Sequence, residues 1–156
     1  MNNQIQIIIN NLQEVLNGEP WYGQSVSAIF KTIDAKSSYK KPSENSHSLV
    51  QLLYHMNSWA EFTLAQIENK VSDITVFEKK DWIKIDPAHH TWEKGLKQFM
   101  LIHEDIINAL QKKTDDFLEG AVKYRDYNIR YLLNGLIQHD IYHLGQMVYL
   151  NKLLST

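Results

Sequence analysis

Leu132-Leu133-Asn134-Gly135-Leu136-Ile137-Gln138-His139-Asp140-Ile141-Tyr142-His143-Leu144-Gly145-Gln146-Met147-Val148-Tyr149-Leu150 is the stretch on which the fold turns. Leu132, Leu136, His139, His143, Gln146 and Leu150 recur at alternating four- and three-residue steps. That is the period of the inward face of a bundle helix. Two positions where the pattern calls for apolar residues carry histidine. His139 and His143 stand one turn apart on a shared face, about 6 Å along the axis. Two imidazoles so placed can converge on one ion. The helix that carries them is expected over roughly 127–154.

Working outward, three more helical stretches share this period. The first carries Ile5, Ile8, Ile9, Leu12, Val15 and Leu16. Gly18-Glu19-Pro20 interrupts it, and helical spacing resumes with Val26, Ile29, Phe30 and Ile33. This predicts a broken first helix, or a helix followed by a shorter one. Residues 36–46 form a polar loop. The second helix starts at Ser46 or Ser48, either a suitable N-cap, and ends near Asn69. Its buried side is marked by Leu49, Leu52, Leu53, Met56, Trp59, Ala60, Thr63, Leu64 and Ile67. Residues 70–87 are mixed and form a long connection with a short helical turn. The third helix is expected from about Ala88 to Lys113, with Trp92, Leu96, Phe99, His103, Ile106 and Leu110 on its stripe. No internal repeat or low-complexity segment breaks the chain. The reading is one all-α domain over 1–156, a four-helix bundle.

Composition agrees. A chain of 156 residues encloses a real hydrophobic core in one domain. Only 6 glycines and 3 prolines favour helices over a strand-and-turn fold. The net charge is −2. The lysine pairs Lys40-Lys41, Lys79-Lys80 and Lys112-Lys113 are scattered rather than gathered into a stripe, which argues against a nucleic-acid partner. The absence of cysteine excludes disulfides, Cys-ligated zinc and a protein thiol nucleophile. Ile7-Ile8-Ile9 is far too short to span a bilayer. No basic segment precedes a long apolar run, so a signal peptide is not expected and a cytoplasmic location is.

The chemistry centres on His55, His139 and His143. His55 sits between Leu52 and Trp59 on the inward side of the second helix, where it supplies a third nitrogen. Three imidazoles with an open position suit catalytic zinc; nickel or iron also fits. The plain alternative is core histidines satisfied internally. One inward histidine fits that reading, but three each bury polar nitrogens at a cost. The ring nitrogens that do not bind metal need acceptors, and Asp140 or a backbone carbonyl is a candidate. A zinc protease is disfavoured, because His139-Asp140-Ile141-Tyr142-His143 replaces the Glu of His-Glu-x-x-His with a shorter Asp. His103 is a fourth ligand, a pocket residue or a core histidine. Adjacent His89 and His90 point about 100° apart on a helix and do not share an ion; His47 reads as surface. Gln146 either orients a substrate or a bound water, or hydrogen-bonds a neighbouring helix. Gly145 is expected to let another helix approach. Trp21, Tyr22, Trp59 and Trp82 are candidates for a pocket wall, with Trp21 and Tyr22 as a lip at the break in the first helix.

The run from Gly135 to Gln146 resembles the last-helix signature of the DinB-like (YfiT-like) proteins. The run from His47 to Trp59 is similar to that family's second helix with its first metal histidine. Glu19-Pro20-Trp21-Tyr22-Gly23 and Asp81-Trp82 are similar to patches in some members. The resemblance implies an up-down-down-up four-helix bundle, a three-histidine metal site at His55, His139 and His143, and a homodimer. It also implies, for some members, metal-dependent enzymes that use a small thiol such as bacillithiol, mycothiol or glutathione. On that basis the expected function is a divalent-metal protein acting as a transferase with a low-molecular-weight thiol and a small-molecule substrate. Gln146, Trp59, Trp21 and Tyr22 would be substrate contacts. The alternatives are metal-assisted hydrolysis, with Asp140 or Glu61 as base, and a non-enzymatic metal or ligand binder.

Overall fold

The computed structural model describes residues 3–71 and 73–155; positions 1, 2, 72 and 156 lie outside them. Among the described residues the chain is all-helical: α1 Gln4–Asn17, α2 Val26–Phe30, α3 Leu49–Ile67, α4 Thr75–Glu78, α5 Trp92–Leu110 and α6 Ile129–Leu154. Short 3-10 turns lie at Ser37–Tyr39 and Asp115–Glu119. The break after α1 falls at Gly18 and Pro20, as their chemistry requires.

Each long helix starts at a polar cap. The side chains of Asn3, Ser48, Thr91 and Asn128 accept hydrogen bonds from the backbone N–H of Gln6, Gln51, Lys94 and Tyr131 respectively. These bonds satisfy donors that the first turn leaves free. Thr91 also explains why α5 starts later than its periodicity suggests. The amides of His89 and His90 turn back to the Asp86 carbonyl at 3.0 and 2.7 Å, so residues 86–90 form a turn. At the start of α1, the Asp115 carboxylate accepts from the amides of Gln4 and Ile5 at 2.9 and 3.0 Å, tying that helix to the 3-10 turn before α6.

α3 packs against both α5 and α6, and α1 also contacts both. α3 is therefore buried nearly all round: Val50, Asn57, Ser58 and Phe62 are inward as well as the expected stripe, while Trp59 and Leu64 are only half-buried. α3 and α5 approach closely at Gly95 on α5. A Cβ there would lie 2.9 Å from atoms of Leu53 and of Tyr54, and Asn57 donates from Nδ2 to the Gly95 carbonyl at 2.9 Å. Gly145, by contrast, is exposed with nothing near its Cβ position, so the expected close approach belongs to Gly95. Gly95→Val is expected to destabilise the protein by about 1–3 kcal/mol through overpacking, read as a lower urea midpoint at unchanged slope.

Two apolar clusters fill the interior. One joins Ile5, Leu12, Phe62, Ile106, Leu118 and Leu133; the other joins Leu16, Phe30, Leu53, Trp92, Phe99 and Met147. Along α6 the first cluster ends at Leu136 and the second begins at Leu144. His139, Asp140 and His143 occupy the interval. His55 on α3 lies next to Met56, the last residue of the second cluster in that helix, and His103 on α5 next to Ile102, the first of the first cluster there. The polar groups thus gather near the boundary of the two apolar clusters.

Candidate metal centre

α3 and α6 bring the three histidines together. His55 Nε2 lies 3.0 Å from His143 Nε2 and 3.0 Å from His139 Nε2. The three rings offer ligand atoms that all lie within 4.8 Å of one another. Nitrogens bound to one zinc-sized ion at about 2.0–2.1 Å approach each other within about 4 Å, so the spacing suits a shared ion.

The groups behind the rings decide which nitrogens carry protons. His143 Nδ1 donates to Gln146 Oε1 at 2.6 Å. The Asp81 carboxylate lies 2.6 Å from His55 Nδ1, out of line with the ring's N–H direction. The acceptor at His143 Nδ1 leaves its Nε2 as a bare lone pair, and the Asp81 carboxylate beside His55 Nδ1 favours the same tautomer there. Two bare nitrogens facing each other at 3.0 Å repel unless a cation lies between them. The donor set therefore fits a divalent ion, held by neutral imidazoles. His139 Nδ1 is buried without a hydrogen-bond partner among the described residues.

Protonation is also disfavoured. Burial, followed by the neighbouring His143, pushes His55 down to about 4. Burial, then His143 and His55, pushes His139 down to about 3. Burial likewise lowers His143. Such rings take a proton less readily folded than unfolded, where the ordinary value is 6.5. Stability of the metal-free protein is then complete above about pH 6.5 and is lost as the pH falls from there toward the folded values. Chelator-treated protein is expected to melt at a lower temperature at pH 5 than at pH 7.5. An equal or higher melting temperature at pH 5 would contradict the neutral assignment.

Two aromatic rings complete the surroundings. Trp82 stacks on His55 at 3.8 Å between centroids and 9° between planes. His47 in turn stacks on Trp82 at 3.9 Å. Asp81 and Trp82, adjacent in the connection before α5, therefore hold His55 by its edge and its face. Asp81 also accepts from Trp59 Nε1 at 2.9 Å. Asp81 was not legible as an acceptor, because it arrives from a segment without period.

The remaining candidates lie elsewhere. His103 is fully buried, with Nδ1 bonded to the Phe99 carbonyl and Nε2 to Asp140 Oδ2, both at 2.8 Å. Both of its nitrogens are engaged, so it is no fourth ligand. Asp140 serves His103 and not the three-histidine cluster. Glu61 is engaged by Lys80 Nζ at 2.8 Å and Gln98 Nε2 at 2.5 Å. Gln146 is exposed and bonds His143 on its own helix instead of reaching a neighbour. Trp59 lines a cleft together with His139. Trp21 is fully exposed, and with Tyr22 it borders a separate cleft against Asn134, Ile137, Gln138 and Ile141. His90 contacts the ring of Tyr54, and His89 is exposed.

No helix among the described residues is long and apolar enough to cross a membrane. No curated protein and no solved structure matches the chain significantly. The model of one family, the DinB superfamily, matches residues 23–147, a span that contains all three histidines, Asp81 and Gln146. The chain belongs to the DinB superfamily.

Proposed function

We propose that this protein is a divalent-metal transferase whose co-substrate is a low-molecular-weight thiol, built on an up-down-down-up four-helix bundle. The observation that carries the reading is the convergence of three neutral imidazoles with no fourth His, Asp or Glu joining them among the described residues. Three protein ligands with an open position are the arrangement of catalytic rather than structural zinc sites. His55, His139 and His143 would hold zinc, nickel or iron(II). A divalent ion, when bound, supplies Lewis acidity that favours the thiolate form of a thiol at neutral pH.

The chain's own residues do the rest. Asp81 and Gln146 orient His55 and His143, and Trp82 fixes the plane of His55. The chain has no cysteine, so the sulfur nucleophile comes from outside. In the transfer, the thiol sulfur bonds to an electrophilic carbon, the leaving group departs with its electron pair, and the thiol proton passes to solvent. Hydrolysis is disfavoured, because Glu61 and Asp140 are both occupied away from the three histidines. A cytoplasmic homodimer is the accompanying expectation.

The test is thiol consumption by metal-loaded protein, with bacillithiol, mycothiol and glutathione each offered against a panel of alkyl and aryl electrophiles. Metal-dependent loss of thiol that His139→Ala abolishes is the expected result. Equal rates with and without metal would reject the transferase reading.

A further inference from the structure

Beside the three histidines lies a cleft of about 150 Å³ whose wall includes His139 itself. It has no charged lining. Trp59 and Thr63 contribute from α3, and Tyr127, Tyr131, Leu132 and Leu136 from the start of α6 and the residues before it. From these observations we infer that the cleft is a binding site for an uncharged, benzene-sized apolar group, the part of the substrate that brings its reactive carbon to the metal centre. The inference deepens the function proposed above and rests on it for the role of His139.

The size is informative. The volume of about 150 Å³ matches that of an enclosed apolar cavity that takes up benzene, and here one side opens to solvent, leaving room for the rest of the substrate. The α3 side of the lining is also fixed in advance. Trp59 is tethered by its indole N–H to Asp81 at 2.9 Å, and its ring packs edge-on against Phe62 at 5.7 Å between centroids. Thr63 donates its hydroxyl to the Trp59 carbonyl at 2.9 Å, so that polar group is already used. Tyr127 and Tyr131 lie against each other at 5.0 Å. A wall that needs no rearrangement loses less entropy when a ligand enters. The lining offers a carboxylate or an ammonium no side chain of opposite charge, which favours neutral groups.

Gly135 supplies the means to test this. It borders the cleft, and a Cβ at that position would meet nothing within 4 Å. A larger side chain at this border position therefore starts in open space and narrows the cleft where it leans over it. Within a helix, replacing glycine also raises helix propensity.

The experiment is a fluorine NMR titration of fluorobenzene into the full-length protein, with and without zinc, for wild type, Gly135→Leu and Tyr131→Ala. Circular dichroism melting and zinc content are measured for each. Saturable binding by wild type is expected, weakened at least tenfold in Gly135→Leu and about threefold in Tyr131→Ala, with melting temperature and zinc uptake retained. Benzoate and benzylammonium are expected to compete at least tenfold more weakly than benzyl alcohol. No saturable binding by wild type, or equal binding by wild type and Gly135→Leu, would overturn the inference. Fluorobenzene binding in protein that takes up no metal would support the cleft and reject the metal-based function, so the two readings fail separately. If Gly135→Leu does not fold, Tyr131→Ala decides, since Tyr131 is largely exposed.

Discussion

Asp140→Ala is expected to lower the unfolding free energy by about 1–3 kcal/mol, the cost of leaving a buried hydrogen-bonding group without its partner. His103 and Asp140 are 0 % and 1 % exposed. Their contact at 2.8 Å joins α5 to α6 between the two apolar clusters. Removing the carboxylate leaves His103 Nε2 without an acceptor in a dry interior. Replacing both partners with leucine removes the polar demand together with the pair, so the double variant is expected to recover most of the loss. Urea denaturation of chelator-treated protein measures this without interference from metal. A loss under about 1 kcal/mol in Asp140→Ala would mean that water reaches the pair.

Asp81→Ala is expected to weaken zinc binding about 10–100-fold, the usual effect of removing a group that orients a metal-binding histidine. The side chain has two tasks, facing His55 Nδ1 at 2.6 Å and accepting from Trp59 Nε1 at 2.9 Å. Asp81→Asn keeps an acceptor oxygen and is expected to lose less. Competition against a chromophoric zinc chelator measures both. Zinc affinity unchanged in Asp81→Ala would show that His55 needs no such orientation.

The helical order was legible because α1 and α5 carry a clear amphipathic period and α3 and α6 carry long apolar stripes between polar caps. His139 and His143 were legible as a pair for the same reason: polar residues broke an apolar stripe one turn apart. The details that depend on helix rotation were not. On α6 the buried arc includes Leu133, Asp140, Leu144 and Met147, while Gln146 is exposed. Periodicity marks a face but not which neighbour it meets, so the pairing of Asp140 with His103 required the packed helices. Asp81, Trp82 and His47 come from segments without period, and only the fold sets Asp81 and Trp82 against His55 and His47 against Trp82. Trp21 and Tyr22 lie at the break after α1, as expected, but border a different cleft from that of His139.

The central claim is that His55, His139 and His143 hold one divalent ion. Elemental analysis of untagged wild-type protein and of His139→Ala, purified without nickel columns, tests it most directly. About one equivalent of zinc, nickel or iron in wild type, lost in the variant, is the expected result. Wild-type protein that contains no metal, and takes up none on titration with zinc, nickel or iron(II), would contradict it.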